Sequence, residues 1–307
     1  AERITIGTED SLQAADGTSV SAFYDRWYRP QNTVISVVGD LDPVLFASMI
    51  EKYFGDWEKA GELAKAPDFG DPVAPGNADP ANPVGETAVI VEPTLPRAFT
   101  FGYFRPWRQV DDTIVYNEGR LRESVALALI NRRLEARARA GGSYLYAQAS
   151  ESKISRSAHA TLVQFAPLTE DWEAALTDVR SVIADALANP PTQEEMDREL
   201  AEMEVGFANM VEQRSVLAAS GYADDLVNAV DIREAIAAPE TFLMVFNSMK
   251  AKVTPQALLE DTRDLFSGSV IRATYVTPES GEATETSIKT ALRESVAADN
   301  NARLAVQ

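Results

Sequence analysis

The chain has 307 residues, a formal net charge of −19, one histidine and no cysteine. Without cysteine there is no disulfide, thiolate nucleophile or Cys-ligated metal. Strong acidity excludes a nucleic-acid backbone as partner, because phosphate binding needs clustered Lys and Arg. The acidity is accounted for by solubility, and no apolar run approaches the roughly 20 residues a membrane-spanning helix needs.

Ala1 to Ala15 reads as irregular and ends in the turn signal Asp16-Gly17. Thr18 or Ser19 is placed to cap a helix through Tyr28, with Phe23, Trp27 and Tyr28 sharing one face. Pro30 ends it, because the ring forbids continuation. Thr33 to Val38 is a β-branched run typical of an interior strand. Gly39 and Asp40 turn the chain, Asp42 caps the next helix, and Pro43 occupies its first position. Leu45, Phe46, Met49, Ile50, Tyr53 and Phe54 give that helix a broad apolar face. Residues 61–85 are rich in Pro, Ala, Asp and Gly, and read as a surface excursion within one domain.

Two strands are expected over 86–92 and 98–104, then a long helix over 113–139 that Gly141-Gly142 stops. Strands over 144–150 and 159–167 follow, then an amphipathic helix over 172–188. Thr192 and Glu195 form a capping box that opens a further helix towards Ser220. Thr254-Pro255 starts a helix to Phe266, and 269–277 reads as a last strand. Strands in groups with helical pairs between them indicate an α+β fold rather than a parallel α/β winding. The expected organisation is one domain over 1–278 and a polar, poorly packed tail or linker over 279–307. The chain opens at Ala1 inside what reads as mid-domain sequence, so it is expected to be part of a longer protein.

The run from Phe23 to Trp57, FYDRWYRPQNTVISVVGDLDPVLFASMIEKYFGDW, resembles the opening of the second subdomain in pitrilysin-type zinc peptidases. Insulin-degrading enzyme, mitochondrial processing peptidase and bacterial periplasmic proteases belong to that family. Arg3 to Thr8, RITIGT, resembles a lead-in carried by the N-terminal half of bacterial members. The resemblance implies an antiparallel sheet with helices on one face.

A second stretch, Asn131 to Ser150, resembles the family segment in which an Arg and a Tyr seven residues later reach the active site. Arg137 and Tyr144 have that separation, with Gly141 between them, and Arg139 and Tyr146 repeat it. A phenol or guanidinium aimed at the oxyanion of peptide hydrolysis would stabilise the transition state. In two-half members, however, the working pair lies in the C-terminal half, whereas the opening cues place this chain in the N-terminal half. Transition-state contact and structural counterpart therefore both stay open for Arg137 and Tyr144.

The family holds zinc with H-x-x-E-H on a helix and a further Glu. That motif does not occur here, and the one histidine, His159, has a strand-like context that reads as surface or satisfied. A catalytic zinc generally needs three protein ligands, so no metal site is expected in this chain. By resemblance, zinc would sit in a subdomain upstream of Ala1. The chain would be the non-zinc subdomain of a metalloendopeptidase, inactive as cut, walling a chamber for unfolded peptides. Its partners would be the zinc subdomain and the C-terminal half of the same protein, and its compartment the periplasm or cell envelope. The alternative is an inactive family member serving as a structural or peptide-binding subunit.

Overall fold

A computed structural model describes residues 7–58, 61–65, 68–154, 157–232 and 234–299. The chain divides into two compact units, one of residues 1–68 and 216–236 and one of residues 69–215 and 237–307. The division between residues 68 and 69 falls inside the 61–85 stretch.

In the first unit α1 is Glu9–Gln13, within a region expected to be irregular, and α2 is Gly17–Trp27. The cap of α2 is Asp16, not Thr18 or Ser19: its carboxylate accepts from the Ser19 N–H at 2.7 Å. Ser19 completes the box as the third helical residue, accepting from the Asp16 N–H at 3.0 Å. After a 3-10 turn over Pro30–Asn32, α3 runs Pro43–Phe54. Its cap is Asp42, which accepts from the Val44 N–H at 2.9 Å, as expected. The expected strand over 33–38 enters no β-ladder among the described residues. Its β-branched side chains supply propensity, but a strand also needs a neighbour's N–H and C=O groups. Val34 is accordingly 64 % exposed. Neither α2 nor α3 carries a buried residue, and the aromatic pairing of α2 is local, as in Tyr24 stacked on Tyr28 at 4.8 Å.

The second unit is built on β1 (Val84–Val91), β2 (Ala98–Pro106), α4 (Ile114–Arg139), β3 (Tyr144–Ile154) and β4 (Ala158–Pro167). It continues with α5 (Trp172–Ala188) and α6 (Gln193–Gln213). After α7 (Ala219–Ile232), which belongs to the first unit, come α8 (Pro239–Lys250), α9 (Pro255–Leu265), β5 (Val270–Thr277) and α10 (Glu285–Arg293). The fold is α+β. The strand order is β1-β5-β2-β4-β3, and the sheet is mixed, not antiparallel throughout. The pairs β2–β4, β2–β5 and β3–β4 are antiparallel, whereas β1 runs parallel to β5. A parallel neighbour needs a crossover, and most of the unit's other elements lie between these two strands in the chain.

Alternation along the strands divides the sheet into two faces. One face presents the row Val89, Tyr275, Phe99, Phe165 and Ala147, and beneath it Thr87, Ala273, Phe101, Val163 and Ala149. Phe99 lies at the centre, stacked on Phe165 at 5.0 Å and on Trp172 of α5 at 5.8 Å. Ala126, Ile130 and Leu134 of α4 and Ile288 and Leu292 of α10 close this core. The side of α4 that carries Val125 and Leu129 packs on Met196 and Leu200 of α6 and on Phe246 and Met249 of α8. The helix is therefore buried between two apolar layers.

A charged network joins α4, α5 and α6 inside that packing. Arg133, 4 % exposed, donates to both Glu195 oxygens at 3.0 and 2.9 Å and to Asp185 at 3.2 Å. Glu195 also accepts from the Thr192 N–H at 2.8 Å, closing the capping box predicted for α6.

Residues 279–299 pack against the sheet, where a poorly packed tail was expected, and 300–307 lie outside the described residues. Ile288 and Leu292, four positions apart on α10, are buried, and Thr87 donates to the Glu285 carbonyl at 2.8 Å. Glu282 takes a bidentate Arg97 at 2.9 and 2.5 Å, the Tyr275 hydroxyl at 2.9 Å and, through its carbonyl, the Trp172 indole at 3.1 Å. These contacts fasten the segment to the sheet.

Candidate functional site

Helix α4 and strand β3 meet at a glycine turn. Gly141 has φ +90, a left-handed conformation that favours glycine, and the Gly142 N–H returns to the Arg137 carbonyl at 3.0 Å. A Cβ on Gly142 would sit 2.9 Å from that carbonyl oxygen, so the close return admits no larger residue there. The turn folds β3 back beside the helix it left.

This return brings together Arg137, whose side chain is 29 % exposed, and the buried Tyr144. Tyr144 is 1 % exposed and donates its hydroxyl to the Leu134 carbonyl at 2.7 Å. Burial pushes its phenol up. Arg137 donates to Asp178 of α5 at 2.8 Å, and the second Asp178 oxygen takes the Ser143 N–H at 2.7 Å. Burial pushes the Asp178 carboxyl up, but Arg137 and Ser143 more than offset it and hold it below its ordinary value. Arg137 and Ser143 fasten the α4–β3 turn to α5, and Tyr144 ties β3 back to α4.

Arg139 and Tyr146, which share the same spacing, occupy the outside of that turn. Arg139 pairs with Glu135 at 2.6 Å, and Tyr146 is 47 % exposed. Both line a groove of about 690 Å³ between the second half of α4 and the first half of β3. Asn131, Arg132, Gln148 and Glu199 also line it, with Arg132 bound to Glu199 and to Glu202 at 2.6 Å. The floor of the groove is the rim of the sheet, because β3 is an edge strand.

Asn131 bridges that edge. Its Nδ2 donates to the Ala149 carbonyl at 2.9 Å, and its Oδ1 accepts from the Ala149 N–H at 2.7 Å. Ala149 therefore turns both backbone groups away from β4. In an antiparallel pair such residues alternate, so Ala147 and Glu151 also present N–H and C=O outward. Nothing in the sequence singled Asn131 out as an edge contact, since an Asn among arginines on a helix carries no local signal of its partner.

The face of the sheet opposite the helices carries Ile90, Val276, Ala98, Ala166 and Tyr146 in one cross-strand row. Its neighbouring row is Thr274, Thr100, Gln164 and Gln148. All nine side chains are half-buried or exposed. These two rows are uncharged and weakly apolar.

His159 lies on the helix-covered face near the other end of β3, its Nε2 2.9 Å from Glu151 Oε1. Arg105 approaches the same oxygen at 3.5 Å. Burial pushes Glu151 up, but His159 and the cations around it more than offset this, and its carboxyl lies below its ordinary value. Among the described residues no three His, Cys, Asp or Glu side chains come together as a metal would require. With one histidine and no cysteine, the donor set does not fit the family's zinc. No helix among the described residues is long and apolar enough to cross a membrane.

Residues 15–203 match the model of a family described as the peptidase M16 inactive domain. The chain belongs to the peptidase M16 inactive-domain family. Solved structures carry the same fold at low identity. The periplasmic protease PqqL from Escherichia coli aligns with a TM-score of 0.79 at 18% identity, covering 97% of this chain and 33% of that one. A predicted insulinase-family protease from Yersinia pestis aligns at 0.72 and 14% identity, covering 91% of this chain and 59% of that one. The ferredoxin protease FusC, solved in complex with Arabidopsis ferredoxin, aligns at 0.72 and 15% identity, covering 100% of this chain and 33% of that one. The chain thus spans about a third of the length of PqqL and of FusC. No match is found among curated protein sequences.

Proposed function

We propose that this M16 inactive domain is the non-zinc subdomain of a metalloendopeptidase and forms one wall of its peptide-binding chamber. The observation that carries the proposal is the β3 edge, where Ala147 turns its backbone groups away from β4 beside a groove of about 690 Å³. An unfolded peptide laid along β3 would extend the sheet, its own N–H and C=O pairing with Ala147. Alternate side chains would then enter the groove or lie over the open face. Main-chain pairing reads no side chain, which suits an enzyme that takes varied unfolded substrates.

In this arrangement the chain binds and orients, and hydrolyses nothing itself. Water would be activated by zinc in a separate subdomain encoded ahead of Ala1, and a C-terminal half of the same protein would close the chamber. Arg137 and Tyr144 hold the turn that positions the edge, so their part in catalysis is indirect. The likeness to PqqL supports a periplasmic or cell-envelope location, and the FusC complex supports a polypeptide substrate. A second reading, a structural subunit without peptidase activity, is favoured by one observation. A chain of complex III from Candida albicans aligns with a TM-score of 0.59 at 13% identity, covering 94% of this chain and 65% of that one.

The test is fluorescence anisotropy of a labelled unstructured peptide titrated with this chain, with zinc and then with a chelator. Binding without cleavage, indifferent to both additions, is expected. Cleavage that the chelator stops would overturn the assignment of zinc to another subdomain, and absence of binding would favour the structural subunit.

A further inference from the structure

The two hydrogen bonds between Asn131 and Ala149 have the pattern of a β-ladder. A neighbouring strand would place one residue opposite Ala149, donating to its carbonyl and accepting from its N–H. The Asn131 amide does both, at 2.9 and 2.7 Å, from a helix that the second apolar cluster and the Arg133 network hold in place. Edge strands are commonly protected against unwanted pairing. Here Asn131 covers Ala149, in the middle of an eleven-residue strand.

We infer that Asn131 acts as a surrogate strand that sets where an extended peptide stops on the β3 edge. The inference rests on the proposed peptide binding along β3 and adds its boundary. A peptide pairs with Ala147 over the groove and ends before Ala149, because that rung of the ladder is already filled. Glu151, the next residue facing outward, lies beyond Asn131 and is separated from the groove by it. The edge is thereby divided, and the divided edge also resists pairing with the β3 of a second copy. The site selects one short extended segment of a longer polypeptide, by length and not by side chain. Releasing Asn131 would join the two parts into one continuous edge from Ala147 to Glu151.

The experiment compares the unmodified chain with Asn131→Ala and Asn131→Asp, using an uncharged, unstructured peptide of about ten residues. Binding is read by anisotropy and the footprint on β3 by amide hydrogen exchange, and thermal melts establish that each variant is folded. Asn131→Asp keeps the acceptor for the Ala149 N–H and loses only the donor, so it serves if the alanine variant does not fold. In the unmodified chain the peptide is expected to protect the Ala147 amide and none beyond Ala149. In Asn131→Ala protection should spread to Glu151, with binding roughly tenfold tighter as both freed groups pair with peptide, and in Asn131→Asp, which frees the Ala149 carbonyl alone, the spread and the gain should be smaller but present. If the peptide protects Ala147 but the variants leave footprint and affinity unchanged, the inference fails and the proposed function stands. If the peptide binds without protecting Ala147, the edge is not the binding site, and both fail together.

Discussion

Arg133 carries a positive charge into a place where an unpaired one could not remain, and two carboxylates on different helices hold it there. Replacing Arg133 with alanine would leave Asp185 and Glu195 buried without their cation. Breaking a buried pair in this way costs about 3–5 kcal/mol, read as a fall in the denaturant midpoint. A loss below about 1 kcal/mol would mean that water replaces the cation. At the other end of the unit Arg97 holds the Glu282 carboxyl down to about 2. A depressed folded value stabilises the native state above the unfolded value, near 4.5 for Glu, and the contribution is lost as pH falls through about 2. Glu282→Gln should therefore lower stability at neutral pH and flatten its decline under acid. An unchanged acid profile would show that other carboxylates govern it.

Among the elements, α10 departs furthest from what composition suggests. The stretch 279–307 is polar, yet Ile288 and Leu292 stand four positions apart and both are buried. Ile288→Ala should cost about 2–5 kcal/mol, the range for a large aliphatic deleted from a core. A near-neutral result in a melt would return the segment to the status of a tail. The start signal of α10 was present as Thr284 and Ser287, which form its capping box, but a polar segment without large apolar runs hid it. Helix α8 lacks a side-chain cap, since Ala238 offers none, and opens on Pro239 alone. The ends of α4, α5 and β5 were legible, because glycine, proline and β-branched residues act locally. The parallel partnership of β1 with β5 was not, since its partners lie far apart in the chain and alternation does not encode direction. The run over 33–38 has the strand's residues without the strand's neighbour, so propensity and pairing part company there. Arg137 and Tyr144 were visible by spacing, but their burial against Asp178 and Leu134 depends on α5 and on the fold of the turn, which spacing does not carry.

At the scale of the molecule, a one-sided helical cover leaves a weakly apolar sheet face and an edge available to an extended polypeptide. Among the described residues no three His, Cys, Asp or Glu side chains come together to hold a metal. The account is therefore that of a subdomain that guides substrate to a zinc carried elsewhere. The measurement that tests it most directly mixes this chain with the polypeptide encoded ahead of Ala1, and follows cleavage of a quenched unstructured peptide. The chain alone should be inert, and the pair should cleave the peptide until a chelator removes the metal. A folded, zinc-supplied pair that leaves the peptide intact would contradict the peptidase account and establish the domain as a structural subunit.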